Sequence, residues 1–134
     1  MKKNLVVAVA ATLVLSACAS HHGHMTRAMD PRNPSVFVVD GKYIVVNQEP
    51  IYIPLKDGPT TIVWQLPKDS PYSFPANGIA IADGGEEFKC NLEADKTRFA
   101  CRFKNSKSGK YKYTISVTGG SEPIKPLDPV ISNG

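Results

Sequence analysis

The side chains best suited to metal chemistry stand together near the start of the chain. Three histidines and a methionine fall within five positions of the run SHHGHM, namely His21, His22, His24 and Met25. Imidazole and thioether groups bind copper, and imidazole also binds nickel, with an affinity that falls as the histidines protonate. The cluster therefore predicts a copper or nickel site in one interpretation and an ordinary histidine-rich linker in the other.

Two cysteines further along, Cys90 and Cys101, could form a disulfide, a redox pair or a metal site. If the strands on either side of EADKT pair across a turn at Asp95-Lys96, Cys90 faces Cys101 and the apolar residues share one face. The same register pairs Phe88 with Phe103 and Leu92 with Phe99. In an oxidising compartment the thiols would join as a cross-strand disulfide. The redox or metal alternative lacks both Cys-x-x-Cys spacing and a nearby histidine.

The rest of the chain offers no set of residues for catalysis. No histidine follows His24, and both later cysteines are expected to be oxidised, so Ser-His-Asp and Cys-His arrangements are excluded. No nucleophile elbow, phosphate-binding loop or zinc spacing occurs. The run ADGGEE, residues 82–87, carries carboxylates but lacks the oxygen spacing of a calcium loop, and a glycine turn explains it better. We expect a protein that is not an enzyme and has no cofactor.

An apolar run precedes the histidines. LVVAVAATLVLSACAS, residues 5–20, follows Lys2 and Lys3 and is too short to span a bilayer. Its charged start, apolar middle and small-residue end are typical of a secretory signal peptide. Leu15-Ser16-Ala17-Cys18 resembles the lipobox of bacterial lipoproteins, which implies cleavage before Cys18 and lipidation of that cysteine. The alternative is an ordinary secretory signal whose cysteine is accidental.

The lipoprotein resemblance also implies a location. Ala19 follows the cysteine, where an aspartate usually retains Gram-negative lipoproteins in the inner membrane, so we expect an outer-membrane lipid anchor facing the periplasm. Cleavage removes two of the 16 basic residues and none of the 12 acidic ones, which lowers the formal charge from +4 to +2. So mild a charge argues against nucleic acid as a partner, and we expect another envelope component instead.

Composition divides the chain into four parts. We expect a signal peptide over 1–17, a lipidated flexible tether over 18–34, a folded domain over 35–118, and an extended tail over 119–134. The tail carries prolines at 123, 126 and 129, which cannot donate to a regular hydrogen-bond ladder.

Within the expected domain, apolar residues alternate with period two, which predicts strands. SVFVVDGKYIVV predicts a hairpin around Asp40-Gly41, EPIYIP a short edge strand, and TTIVWQL places Ile62, Trp64 and Leu66 on one face. GIAIA, EEFKCNLE, RFACRFK and KYKYTISV complete about eight strands. The fold class is all-β, a small antiparallel β-sandwich.

Basic residues recur on the last three of these strands. We expect one basic face about three strands wide, partly offset by Glu93 beside Arg98, that could meet anionic head groups, lipopolysaccharide or an acidic partner. Its members are Lys89, Arg98, Arg102, Lys104, Lys110 and Lys112. The alternative is a solvated face whose lysines guard against aggregation.

A proline-punctuated loop, residues 67–78, carries two aromatic residues, Tyr72 and Phe74. Long loops on rigid sandwiches often bind partners, and exposed aromatic rings make good anchors. The rings could equally cover one end of the core as a lid. Both interpretations stay open from the sequence.

The end of the strand region is similar to a known architecture. FACRFKNSKSGKYKYTISV resembles the C-terminal strand pair of cupredoxin-like sandwiches, without the histidines that bind copper there. This resemblance implies a copper-free sandwich, and the immunoglobulin-like sandwich is an equal candidate. Two functions remain: a lipid-anchored binding or accessory module for another envelope component, or metal handling through the histidine tether.

Overall fold

Residues 29–134 are described by the computed structural model, and they form an all-β fold, as predicted. The strands are β1 (Val36–Val39), β2 (Tyr43–Val46), β3 (Ile51–Tyr52), β4 (Thr60–Gln65), β5 (Ile79–Ile81), β6 (Phe88–Leu92), β7 (Arg98–Phe103), β8 (Gly109–Ile115) and β9 (Val130–Asn133). One sheet has the order β3-β9-β8-β5 and another β4-β7-β6, while β1 and β2 form a separate hairpin. All pairs are antiparallel except β3 with β9. The small antiparallel sandwich is confirmed.

The predicted hairpin around Asp40-Gly41 is present. Asp40 and Gly41 have φ values of 52° and 64°. This left-handed backbone is easy for glycine and tolerated by aspartate, so the dipeptide turns the chain between two β-branched runs that would otherwise continue. Pairing runs without a break from Val39 and Tyr43 to the open end of the hairpin.

Two other strand predictions are confirmed. Ile62, Trp64 and Leu66 are all buried, because alternate residues of one strand point to one face. EPIYIP forms β3, a two-residue strand at the edge of the four-stranded sheet. The prolines that flank it, Pro50 and Pro54, lie outside the paired residues, where a missing N–H costs no ladder bond.

Aromatic side chains join the two larger sheets. Trp64 on β4 donates its Nε1–H to the Tyr113 hydroxyl on β8 at 3.3 Å, and the ring centroids lie 5.2 Å apart. Beside this pair, Phe88 and Phe103 stack at 4.3 Å, and Tyr111 meets both rings edge-on. The sheets therefore pack face to face, with one side of each strand in a common core.

The cysteine hairpin has the predicted register. Cys90 on β6 faces Cys101 on β7, and the two are joined by a disulfide. Phe88↔Phe103 and Leu92↔Phe99 are the neighbouring pairs on that face. Cys101 is fully buried, whereas Cys90 is exposed because β6 is the edge strand of its sheet.

The interpretation of 119–134 as a tail beyond the domain is wrong. Its last part, β9, lies between β3 and β8, with Ile131 fully buried. The prolines at 123, 126 and 129 all precede the strand, so β9 keeps every N–H group it needs for pairing. The folded domain therefore continues to Asn133 and does not end at 118.

The domain also begins earlier than predicted. The Val63 N–H donates to the Arg32 carbonyl at 2.8 Å, and the Gln65 N–H donates to the Pro34 carbonyl at 3.0 Å. Pro34 itself is almost completely buried. The backbone from Arg32 onward thus lies along the free edge of β4, and a tether that reaches residue 34 is wrong at its C-terminal end.

A buried amide pair fixes β9 to the turns around it. Asn105 donates its Nδ2–H to the carbonyls of Pro54 and Gly58 at 2.9 and 3.0 Å. The Asn105 Oδ1 accepts a hydrogen bond from Asn133 Nδ2 at 2.6 Å. The Asn133 Nδ2 also donates to the Lys107 carbonyl at 2.9 Å. These bonds satisfy backbone carbonyls of two irregular segments that no strand could pair.

Loss of the disulfide should weaken the domain without changing its fold. The bond closes a short loop, and its removal is expected to lower the free energy of unfolding by about 2–3 kcal/mol. Urea denaturation of a Cys90→Ala/Cys101→Ala protein, compared with oxidised and reduced wild type, measures this. The reduced wild type should match the double variant. Equal midpoints for oxidised and reduced protein would contradict the prediction.

Candidate functional site

The predicted basic residues divide between the two sheets. Arg98 and Arg102 on β7, Lys89 on β6 and Lys104 just after β7 are exposed on the outer side of the three-stranded sheet. Lys110 and Lys112 lie on β8, which belongs to the other sheet.

Because Tyr111 and Tyr113 point into the core, Lys110 and Lys112 face solvent on the opposite side of the sandwich. The prediction of one basic face three strands wide is therefore wrong. The cause is the segment 104–108, which carries the chain across to the second sheet and does not form a hairpin within the first.

What the structure does bring together is a row of three side chains across one sheet. Arg102 lies directly opposite Lys89 on one side and Thr61 on the other. Side chains at directly opposed positions stand on the same face, so the row runs Thr61, Arg102, Lys89 over β4, β7 and β6. We call these three residues the basic row.

A groove of about 300 Å³ lies along the basic row. It is lined by Pro59, Thr60, Thr61, Glu86, Glu87, Lys89, Arg102, Phe103 and Lys104. The groove is open to solvent and combines hydroxyl, guanidinium and ammonium donors. Such a set binds carboxylate or phosphate oxygens, and the planar guanidinium of arginine can hold two of them at once.

The two cations of the basic row have no ion-pair partner among the described residues, although the carboxylates of Glu86 and Glu87 also line the groove. Arg98 pairs with Glu93 at 3.0 Å, as predicted, and Lys104 lies 3.6 Å from Glu86. Among residues 29–134, neither Lys89 nor Arg102 forms an ion pair or a side-chain hydrogen bond. Two like charges directly opposed on a sheet destabilise it slightly, so an incoming anion would relieve repulsion as well as form bonds.

Glu87 forms a fixed wall of this groove. Its buried carboxylate accepts hydrogen bonds from the Ser106 hydroxyl and, at 3.1 Å, from the Ser106 N–H. These bonds, with smaller contributions from Lys107 and Lys104, hold the pKa of Glu87 below its ordinary value, although burial acts in the opposite direction. The carboxylate is therefore ionised and directed at Ser106. Its two hydrogen bonds stabilise the turn after β7.

The aromatic loop is part of the core and not a free anchor. Phe74 is buried and meets Phe99 edge-on at 5.9 Å. Ser73 exchanges backbone hydrogen bonds with Thr118 at 2.9 and 2.8 Å, which ties the loop down. Phe74 therefore covers the core, as the lid interpretation predicts. The prediction that Phe74 binds a partner is wrong.

Tyr72 is only partly buried. It lines a shallow recess of about 260 Å³ together with the β1–β2 turn and residues 120–122. In that recess Lys42 lies 3.7 Å from Glu122, so its charge already has a partner. Tyr72 contacts neighbouring loops and is not part of the basic row.

Sequence reasoning missed an exposed apolar surface on the first hairpin. Phe37 and Val39 on β1 and Tyr43 and Val45 on β2 are all exposed. The signal was available, because SVFVV and YIVV are apolar at every strand position and do not alternate with polar residues. A strand that is apolar on both sides must either be buried twice or expose one face.

The predicted lipidation and metal residues lie outside the described part of the chain. Cys18, His21, His22, His24 and Met25 all precede residue 29. Within 29–134, no three histidine, cysteine or acidic side chains lie close enough to hold a metal ion. In the same range, no helix is long and apolar enough to cross a membrane.

Replacement of Glu87 by glutamine should remove a pH-dependent part of the stability. Because its folded-state pKa is lowered, Glu87 stabilises the fold above its unfolded-state pKa of about 4.5, and this is lost as pH falls through the folded-state pKa. Urea denaturation from about pH 7 to about pH 3 should show a deficit in Glu87→Gln that shrinks in acid. Glu86→Gln, at a side chain 96% exposed, is the control. A deficit of equal size at both ends would contradict this assignment.

Comparison with known proteins leaves the function to be argued from these residues. No protein-family model matches the chain. No curated protein sequence matches it significantly.

Proposed function

We propose that this protein is a non-catalytic, lipid-anchored β-sandwich of the bacterial cell envelope that binds an acidic envelope protein. The observation that carries the proposal is the basic row, in which Lys89 and Arg102 lie side by side without an ion-pair partner among the described residues. The adjoining groove leaves room for a carboxylate-bearing segment of a partner.

The proposed anchor is supported by the sequence before the domain. The lipobox-like Leu15-Ser16-Ala17-Cys18 ends an apolar run of signal-peptide type, and Ala19 favours the outer membrane. The disulfide agrees with an oxidising compartment such as the periplasm. Residues 18–29 span at most about 40 Å when fully extended, so the domain would stay close to the bilayer.

The anchor has a direct test. Mass spectrometry of membrane fractions should find an N-terminal peptide that begins at acylated Cys18. Cys18→Ala should move the protein out of the membrane fraction, because the attachment proposed here is the lipid. Ser16→Thr, which leaves the cysteine in place, is the matched control. A Cys18→Ala protein that remained in membranes to the same extent would refute the anchor.

The three-stranded sheet suits a binding surface because packing on its inner face holds it rigid. The basic row lies on strands whose inner faces carry the disulfide and the Phe88–Phe103 stack. Donors fixed in place lose little conformational freedom when an anion arrives, which favours affinity. Arg102 stands on the central strand of its sheet, flanked by both neighbours of the row.

Charge reversal should separate the basic row from the other exposed lysines. A photo-crosslinking side chain at Thr61, used in intact cells, should capture an envelope protein. Arg102→Glu should lower the yield about tenfold, since a hydrogen bond to a charged group contributes about 1.5–3 kcal/mol. Lys112→Glu is the matched control, because it makes the same charge change on the opposite sheet.

The expected result is loss of the crosslink in Arg102→Glu and its retention in Lys112→Glu. Higher salt should weaken capture in extracts, because the attraction is between charges exposed to solvent. An equal loss in both variants would show that net charge, and not the basic row, controls binding. No capture from Thr61 in wild-type cells would overturn the assignment of this surface.

A further inference from the structure

The β1–β2 hairpin exposes an apolar surface that the basic row does not use. Phe37 lies directly opposite Val45, and Val39 directly opposite Tyr43, so the four side chains form one patch. They are between 43% and 56% exposed. We call these four residues the hairpin patch.

The other face of the same hairpin is already in the core. Val36 and Ile44 are buried there, and Val38 and Val46 pack against the buried cluster. The hairpin patch is therefore not a poorly packed part of the core but a second apolar face. Soluble antiparallel sheets usually place polar residues on such a face, and contiguous exposed apolar residues mark interaction sites.

The size of the hairpin patch argues against a stable protein interface. Four half-exposed side chains, two of them aromatic, present roughly 300–400 Å². A standard protein–protein interface buries roughly 800 Å² on each partner. A second copy of this chain would therefore need further contacts that the hairpin patch does not supply.

The preceding chain leaves the domain beside the open end of this hairpin. Gln48, two residues after β2 ends at Val46, donates its Nε2–H to the Asp30 carbonyl at 2.8 Å. Met29, the residue before Asp30, is 60% exposed. Residues 1–28 continue from this point, with the proposed anchor Cys18 eleven positions before Met29.

We propose that the hairpin patch lies in the interfacial region of the bilayer to which Cys18 is attached. The inference rests on the proposed anchor, which would keep the patch within reach of lipid at a high effective concentration, so a weak intrinsic affinity is sufficient. Tyrosine suits this position because its amphipathic ring lies at head-group level, and phenylalanine suits it because its apolar ring can enter the acyl-chain boundary. The domain would then be held at two points and in one orientation.

The test uses the chain from Cys18 onward on vesicles of phosphatidylethanolamine and phosphatidylglycerol with brominated acyl chains. The protein is coupled to a maleimide lipid through the Cys18 thiol, while the disulfide protects Cys90 and Cys101. A tryptophan replaces Tyr43 in the patch. In the matched control it replaces Tyr52, which is 49% exposed on β3 of the four-stranded sheet. Buried Trp64 contributes the same background to both variants.

Bromolipid quenching of the Tyr43→Trp protein should be at least about threefold that of the Tyr52→Trp protein, because bromine quenches only fluorophores in contact with acyl chains. Phe37→Trp gives a second reporter on the same patch if Tyr43→Trp folds poorly. Equal quenching at the patch and at position 52 would overturn the inference. The inference would also be overturned if brominated lipid did not quench the patch tryptophan while added envelope proteins shifted its emission to shorter wavelength. The occupant of the patch would then be a protein.

This design separates the two proposals. Because coupling to the vesicle is chemical, quenching does not depend on whether cells lipidate Cys18. Absence of an acylated Cys18 peptide from cell membranes, together with strong quenching here, would refute the natural anchor and keep the lipid affinity of the patch. A lipidated Cys18 with equal quenching would do the reverse.

Discussion

The contact between Trp64 and Tyr113 is the constraint on which the rest of this structure depends. It places β8 across from β4, and the neighbouring Phe88, Phe103 and Tyr111 rings extend the same packing. Once those rings face inward, the period-two geometry of strands sends the residues between them outward. The position of every exposed cation on β7 and β8 follows from which aromatic residues the core takes.

Local pattern was sufficient for much of the fold. The Asp40-Gly41 turn, the burial of one face of β4 and the Cys90–Cys101 register each depend on residues close in sequence, and each is present as predicted. The assignment of strands to sheets depends on long-range packing, which periodicity does not encode. For that reason the sequence pattern places Lys110 and Lys112 with Arg102, although the sandwich separates them. The basic row could not be predicted either, because it depends on the pairing of β4 with β7, which no local sequence pattern indicates.

The ends of the domain differ from the sequence prediction for another physical reason. Prolines before β9 suggested a chain that could not pair, but a proline affects only the ladder position it occupies. The same applies to Pro34, which lacks an N–H yet offers a carbonyl to Gln65. Conversely, Phe74 stood in a loop of polar and turn-forming residues, and its burial against Phe99 follows from tertiary packing alone.

The central place of β9 has a consequence for how the chain acquires its structure. Within the four-stranded sheet, β3 pairs with β9 alone, and β9 also borders β8. Without residues 130–133 in place, β3 has no strand beside it and the core lacks Ile131. The four-stranded sheet is therefore complete only when β9 has joined β3 and β8, so its formation depends on contacts between residues far apart in sequence.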